Sequence, residues 1–565
     1  MNLPHFRPKI IDALKGYNRA IFGADLAAGI TVGIVALPLA MAFAIASGAP
    51  PQTGIITAVI GGFIISALGG TEVSIGGPTG AFVVILSGIL VTHGWNDLML
   101  CTIMAGFFLL VLGFTGLGKI IKYIPYPVTM GFTSGIAILI MSTQVKDFFG
   151  LPVADVPSDF FDKSLVLLKA MPDISWQATL LSVGTFAFIR LWPKGWQRRI
   201  PGTIVAIIIG TLIVYFLKLP LETIGSRFGE IPQGLPMPVL PHIDWANLHT
   251  LVQPAITIAL LAAIESLLCA VVADGMIDGR HDSDQELVAQ GLANIVCPFF
   301  GGIAATSAIA RTATNVRSGA RTPVAGVIHA VTLLGILLVA APLAGFVPLA
   351  ALSAVLLNVA IHMGEWQNFR KLNKWPASDA AVFLCSFLLT VVIDLTVAVE
   401  VGVVLAALLF IKRVSETSEV TIVDAASETE GAQHSLRDKD IPEGVMVYRM
   451  MGALFFGAAS KLDTILQRMK SEPDVLVLRM RKVVAMDATG LNALENLREK
   501  LQKRGRHLVL SAPRPQPMQV MDKSGFIQRL GVDNLCPDID AALKRAKDII
   551  EAKAAAQKAH AARKA

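Results

Sequence analysis

Charge is scarce in this chain of 565 residues: Asp, Glu, Lys and Arg make up 16% of it, against about 25% in a soluble globular protein. That shortfall excludes an ordinary soluble fold for most of the length. Cysteine is scarce too. Cys101, Cys269, Cys297, Cys385 and Cys536 lie scattered without a CxxC pair, which argues against a disulfide framework or a structural zinc site. The opening MNLPHFRPKIIDALKGYNRA lacks the short apolar core and small-residue cleavage site of a secretory signal. No catalytic constellation appears, so neither an enzyme nor a cofactor is expected. His281 stands among Asp278, Asp282 and Asp284 and superficially resembles a metal site. It reads instead as a solvated loop, and no metal is expected. The net charge of +6 matters less than its distribution, so nucleic acid is not expected as a partner.

What is present is apolar sequence, 54% of the chain. Runs of membrane-spanning length fill residues 22 to 411, giving about fourteen spans, some short. The loops test the count, because cytoplasmic loops are enriched in Lys and Arg. With Arg7, Lys9, Lys15 and Arg19 inside, alternate loops are basic: Lys119 and Lys122; Lys194, Arg198 and Arg199; Arg280; Arg317 and Arg321; Arg370, Lys371 and Lys374; Lys412 and Arg413. The longest opposing loop, KDFFGLPVADVPSDFFDKSL, leans acidic. An even number of spans with both termini cytoplasmic follows.

Composition divides the chain into a cytoplasmic segment (1–20), a transmembrane domain (21–413), a polar linker (414–440), a small α/β domain (441–555) and a tail (556–565). In the α/β part, GVMVYRMMGALFF, DVLVLRM and HLVLSAP read as strands. AASKLDTILQRMK and GLNALENLREKLQKRG alternate with them as helices. The Ala/Lys-rich end reads as a fraying helix.

Two membrane segments break the apolar pattern alike: TEVSIGGPTGAFVVILSGIL (71–90) and PFFGGIAATSAIARTATNVRSGAR (298–321). A matched pair of Gly/Pro-interrupted segments points to inverted repeats with half-helices meeting near the bilayer midplane. Free N–H groups at such helix starts form an anion site. Each N-terminus supplies about half a positive charge, and Arg311 would add a whole one. The site then suits a small anion, a divalent one included. The competing reading has Arg311 snorkelling to the cytoplasmic interface. Thr79 and Gly80 follow Pro78, which suits a first helical turn, and Phe43, a turn past Pro38, would wall the site. Pro38 itself predicts a kink or break. Glu265 lies midway along the apolar run 255–276. Burial penalises a charged carboxylate, so a proton bound there would couple proton entry to anion entry; a structural Glu is the rival.

At these residues the chain resembles the SulP sulfate-permease family. ALPLAMAFA matches its first span, SIGGPTGA its third, AIESLLCAVVADGM its eighth, DQELVAQGLAN the start of its ninth and SAIARTATNVRSG its tenth. The C-terminal part resembles its STAS domain, with MDATGL at the diagnostic loop. The eighth and tenth segments look most similar to DauA-type transporters, which carry four-carbon dicarboxylates with protons. The resemblance implies an all-α membrane domain of two inverted seven-helix repeats, divided into core and gate, plus a cytoplasmic α/β STAS domain. It implies substrate contacts at Phe43, Thr79, Gly80, Ser307, Ala308, Ala310 and Arg311, and cation coupling at Glu265. Thr489 matches a loop residue that is phosphorylated in anti-sigma antagonists; the alternative is that it caps the following helix. Two departures matter. Leu39 stands where several anion exchangers place glutamine. Cys269 replaces a threonine of sodium-coupled bicarbonate members, which weakens a sodium site and favours protons.

The expected function is proton-coupled symport of a succinate-like dicarboxylate by elevator-type movement, in a homodimer of the bacterial inner membrane. The alternatives are a sulfate or bicarbonate transporter of the same family, or a STAS-centred signalling scaffold. A nucleobase carrier is disfavoured, because a neutral substrate has no need of Arg311.

Overall fold

A computed structural model describes residues 6–118, 125–153, 156–157, 159–193, 201–243, 245, 248–393, 395–417, 419–422, 439–455 and 473–564. Lys119, Lys122, Lys194, Arg198 and Arg199, most of the 414–440 linker and the helix read in AASKLDTILQRMK lie outside the described residues; the described start of that linker is not irregular, since 414–417 end a helix and 419–422 form a strand. The chain divides into two compact units, Met1–Val404 and Leu405–Ala565.

The first unit is helical. α1 (Arg19–Ala46) starts where the Asn18 side chain accepts from the Ile21 amide, and it passes through Pro38 as one continuous helix. The predicted break is therefore not seen. Proline removes a single N–H from the ladder, and neighbouring helices make such a loss tolerable in a membrane. α2 (Pro51–Leu68) follows, then the two-residue β1 (Gly76–Gly77). After a tight turn at Gly80–Phe82 comes α3 (Val83–Phe114), which Gly94 (φ 85°) breaks into two legs. Next are α4 (Tyr126–Phe149), the short α5 (Phe160–Ala170), α6 (Trp176–Leu191) and α7 (Gly202–Leu217).

The second half repeats this order. It comprises α8 (Val252–Ile277), α9 (Ser283–Phe299), β2 (Thr306–Ser307), α10 (Ile309–Arg317), α11 (Val324–Ala344), α12 (Leu349–Met363), α13 (Ala377–Val392) and α14 (Leu395–Thr417). With α3 counted as two legs and α5 set aside, each half supplies seven segments, and the third of each is the half-helix that follows a β-strand. Among the described residues, seven helical runs are long and apolar enough by themselves to cross a bilayer. Several of the others are shorter: nine-residue α10, a half-helix, is only about 14 Å long.

Packing sorts these helices into two groups. α1, α2, α3, α8, α9, α10 and α11 pack chiefly on one another, and α4, α6, α7, α12 and α13 form the second group. Small residues allow the close approaches. A Cβ placed on Gly106 of α3 would lie 2.7 Å from the carbonyl oxygen of Gly291 on α9, so the two backbones are in contact there.

The second unit is a five-stranded sheet in the order β3 (Glu419–Ile422), β4 (Val445–Leu454), β5 (Val475–Met486), β6 (His507–Ser511), β7 (Leu535–Cys536). Its β3–β4 pair is antiparallel and the rest are parallel. A parallel sheet is covered on both faces, which is why VLVL in β5 is apolar at successive positions. One face packs on α15 (Ala488–Lys503), α16 (Pro515–Lys523) and α17 (Phe526–Leu530); the other packs on α18 (Ile539–Lys564). The tail is the continuation of α18, helical as far as Lys564.

Candidate functional site

β1 and β2 pair antiparallel, Gly76 with Ser307 and Gly77 with Thr306. The two broken segments therefore meet inside the first unit, and their helices leave the pair in opposite directions. α10 and the residue that precedes it fasten the first segment. Asn315 Nδ2 donates to Val73 O (2.9 Å), Thr312 Oγ1 accepts from Ile75 N–H (3.0 Å), and the Ala308 amide donates to Ile75 O (2.9 Å). Arg311 completes the series: its Nη2 donates to Pro78 O at 2.6 Å.

Arg311 is only 3% exposed, so it does not snorkel. Its guanidinium crosses to the opposite tip, where a Cβ on Gly77 would fall 2.5 Å from Nη1. That Nη1 has no hydrogen-bond partner among the described residues, and neither has the buried hydroxyl of Thr79. The amides of Gly80 and Ala81 on one side, and of Ile309, Ala310 and Arg311 on the other, are first-turn donors with no intrahelical acceptor. The tips thus gather free N–H groups, an arginine nitrogen and a hydroxyl at one place.

The ring edge of Phe43 sits beside the first tip, 3.1 Å from where a Cβ on Gly80 would lie. Ile140 of α4 and Met363 of α12 complete this apolar wall, so the second helix group touches the site here. Ala308 is half-buried and Ala310 exposed. A cavity of about 850 Å³, bordered by Leu39 of α1, Thr314 and Arg317 of α10 and Asn358 of α12, opens along the C-terminal side of α10.

Ser307 lies at the tips, but its hydroxyl is committed elsewhere: it donates to Glu286 Oε1 at 3.0 Å. Glu286 also accepts from Gln290 Nε2 (3.0 Å), the Gly70 amide (3.0 Å) and Thr71 Oγ1 (3.2 Å). Asn294, one turn further along α9, receives the Ala305 amide (2.9 Å) and donates to Ala305 O (2.8 Å). Sequence reasoning passed over this stripe, although its i, i+4, i+8 spacing in DQELVAQGLAN was a visible signal. Asp25 was also missed: buried on α1, it accepts from the backbone amides of Arg321 and Thr322 (2.8 and 3.2 Å) and so secures the turn after α10.

Glu265 is buried on α8, 9% exposed, without a hydrogen bond or ion pair among the described residues. One turn on, the Cys269 thiol donates to Thr312 Oγ1 (3.2 Å), next to Arg311. His281 is not in a solvated loop. Its ring is 7% exposed and bridges Asp274 Oδ2 (2.7 Å) and Ser283 Oγ (3.0 Å), joining the end of α8 to the start of α9. Thr489 belongs to the second unit. It is not the cap of α15: Asp487 Oδ1 accepts from the Gly490 amide at 2.7 Å, and Thr489 is exposed in the first turn.

Residues 22–386 match the sulfate permease family and residues 437–542 the STAS domain. The chain belongs to the sulfate permease family. It is 40% identical to the "Putative sulfate transporter YvdB" of Bacillus subtilis (strain 168), over 92% of this chain and 96% of that one. It is 31% identical to the "Bicarbonate transporter BicA" of Picosynechococcus sp. (strain ATCC 27264 / PCC 7002 / PR-6), over 92% and 94%. The transmembrane domain of a cyanobacterial BicA superposes with a TM-score of 0.63 at 32% identity, covering 69% of this chain and 98% of that one. Murine Slc26a9 in its inward-facing state superposes with a TM-score of 0.84 at 19% identity, over 96% and 94%, a likeness of fold. This chain is thus a multi-pass membrane anion transporter of that family with a C-terminal STAS domain.

Proposed function

We propose that the chain carries a small oxyanion together with a proton, by elevator-type displacement of the α1–α3, α8–α11 group against the other helices. One observation carries the reading: Arg311, buried in one half-helix, extends its guanidinium to the other tip and keeps Nη1 unpaired. Two half-charges from the tips and one from Arg311 give about two positive charges in a low dielectric. Such a site reads charge before carbon skeleton. The names of the relatives favour sulfate or bicarbonate. The likeness of the eighth and tenth segments to DauA-type transporters supports four-carbon dicarboxylates such as succinate as a second reading.

Glu265 supports the proton. A carboxylate buried without a donor either holds a proton or pairs with a cation. The soft thiol of Cys269 beside it is a poor ligand for sodium. Ionised, Glu265 offsets part of the positive charge at the tips; protonated, it restores that charge for the anion. The protein would sit in the bacterial inner membrane as a homodimer with both termini cytoplasmic.

Proteoliposomes with imposed pH or sodium gradients test the reading, using labelled sulfate, bicarbonate and succinate. Uptake of the carried anion rises as external pH falls, and Glu265→Gln abolishes that dependence. An unaltered pH profile in Glu265→Gln refutes the role of this residue. Absence of uptake of all three anions by the wild type refutes the transport reading.

A further inference from the structure

Lys163 is a cation for which the tips give no reason. It belongs to α5, which lies between two membrane helices and is capped by Asp159: Oδ1 accepts from the amides of Phe161 (2.8 Å) and Asp162 (3.1 Å). Lys163 points inward from this helix and is only 6% exposed. Its ammonium makes neither a hydrogen bond nor an ion pair among the described residues. Asp159, one turn back, is engaged by its own helix and forms no ion pair with it. Burial of the side chain lowers the lysine pKa and the charge of the nearby Asp159 acts against that. Leaving a buried charge unpaired is costly, so the position is built for something to face it.

What it faces is a cavity of about 530 Å³. Ser87, Thr92, Thr143, Gln253 and Thr257 give it polar walls, His93 stands at its border, and Asp159, whose Oδ1 is taken up by the amides of its own helix, lines it beside Lys163. The cavity follows the first leg of α3 as far as Val83 and Val84, directly after the Gly80–Phe82 turn. The 850 Å³ cavity follows α10, which leaves the paired strands in the opposite direction. The two cavities thus approach the tips from opposite sides. Lys163 lies on the side away from Arg317, the outer side if basic loops are cytoplasmic.

We propose that this cavity is a second anion site, an outer vestibule in which the Lys163 ammonium collects the anion before it reaches the tips. The inference rests on the transport reading and adds to it a site, a charge and an order of events. Lys163 binds without taking part in the movement. Its loss therefore weakens capture from outside and leaves the transport step intact. In a water-filled vestibule one charge at close range is worth about 1 kcal/mol, or about five-fold in affinity. Salt screens such an attraction.

The test uses full-length protein in proteoliposomes, with sulfate, bicarbonate and succinate as external probes. For the anion the wild type carries, Lys163→Gln raises KM about five-fold with kcat unchanged. The difference narrows in concentrated inert salt, and Lys163→Arg behaves as wild type. A wild-type KM in Lys163→Gln, a fall in kcat alone, or a failure of Lys163→Arg to preserve KM overturns the vestibule while leaving the tips intact. Absence of uptake by the wild type overturns the transport reading itself, and the vestibule with it.

Discussion

Arg311 is the residue on which the anion site turns. An arginine in hydrocarbon costs at least about 2.5–3.5 kcal/mol, and one contact to Pro78 O does not satisfy its five donors. Its partner across the gap is an absence: Gly77, at φ 142°, leaves room where any Cβ would meet the guanidinium at 2.5 Å and the Ala58 Cα at 3.2 Å. The second glycine of SIGGPTG is therefore space reserved for a residue 234 positions later. Gly77→Ala should displace the guanidinium and lower anion uptake at least about tenfold, as Arg311→Ala should, with normal membrane insertion of both. Uptake in Gly77→Ala at half the wild-type rate or more would show that the crossing is dispensable. Arg311 was legible in the sequence because a charge just after a Gly-Gly break in apolar sequence has few structural uses. Ser307 was less so. Its place at the tip follows from the pattern, but the sequence is silent on which acceptor its hydroxyl finds.

Among the elements, α9 is the one whose work was least legible. Glu286, Gln290 and Asn294 read as the polar face of an amphipathic helix, a pattern that in water would face solvent. In a helix packed on α2 and α3 the same spacing becomes a buried ladder holding β2 and the turn before β1. Helix existence, the matched interruptions and the α/β pattern beyond residue 440 could be read from periodicity, since each is local. The ladder could not, because its partners lie on other elements: Ala305 and Ser307 beyond the end of the helix, and Gly70 and Thr71 more than 200 positions away. Glu286 alone receives four hydrogen bonds. Glu286→Ala strands four donors and should cost at least about 3 kcal/mol, seen as a lower unfolding midpoint in detergent. Glu286→Gln retains one carbonyl acceptor and should fall between the two. An alanine variant as stable as wild type would show that the ladder does not hold the tips.

At the scale of the molecule, every residue assigned to anion and proton lies within Met1–Val404, and the STAS unit holds itself together by other means. α18 is fastened to its sheet by apolar packing and by Asp474, whose Oδ1 receives Lys553 Nζ and Arg506 Nη1, each at 2.7 Å. Lys553 first, then Arg506, hold this carboxyl below the usual carboxylate range. A group with a depressed folded pKa contributes stability above its unfolded value of about 4. That contribution fades as pH falls through the folded value. In the full-length protein, amide protection at β5 and α18, measured against the unstructured chain at the same pH, should therefore fall as pH drops below about 4. Asp474→Asn should bring part of that loss of protection to pH 7 and leave neutral-pH anion uptake at the wild-type rate. The last clause separates the two classes of function. If the chain were a signalling scaffold centred on its STAS unit, loosening that unit would cost it its activity; a transporter whose site is complete in the first unit keeps working. A loss of uptake in proportion to the loss of exchange protection would therefore decide against an autonomous membrane unit.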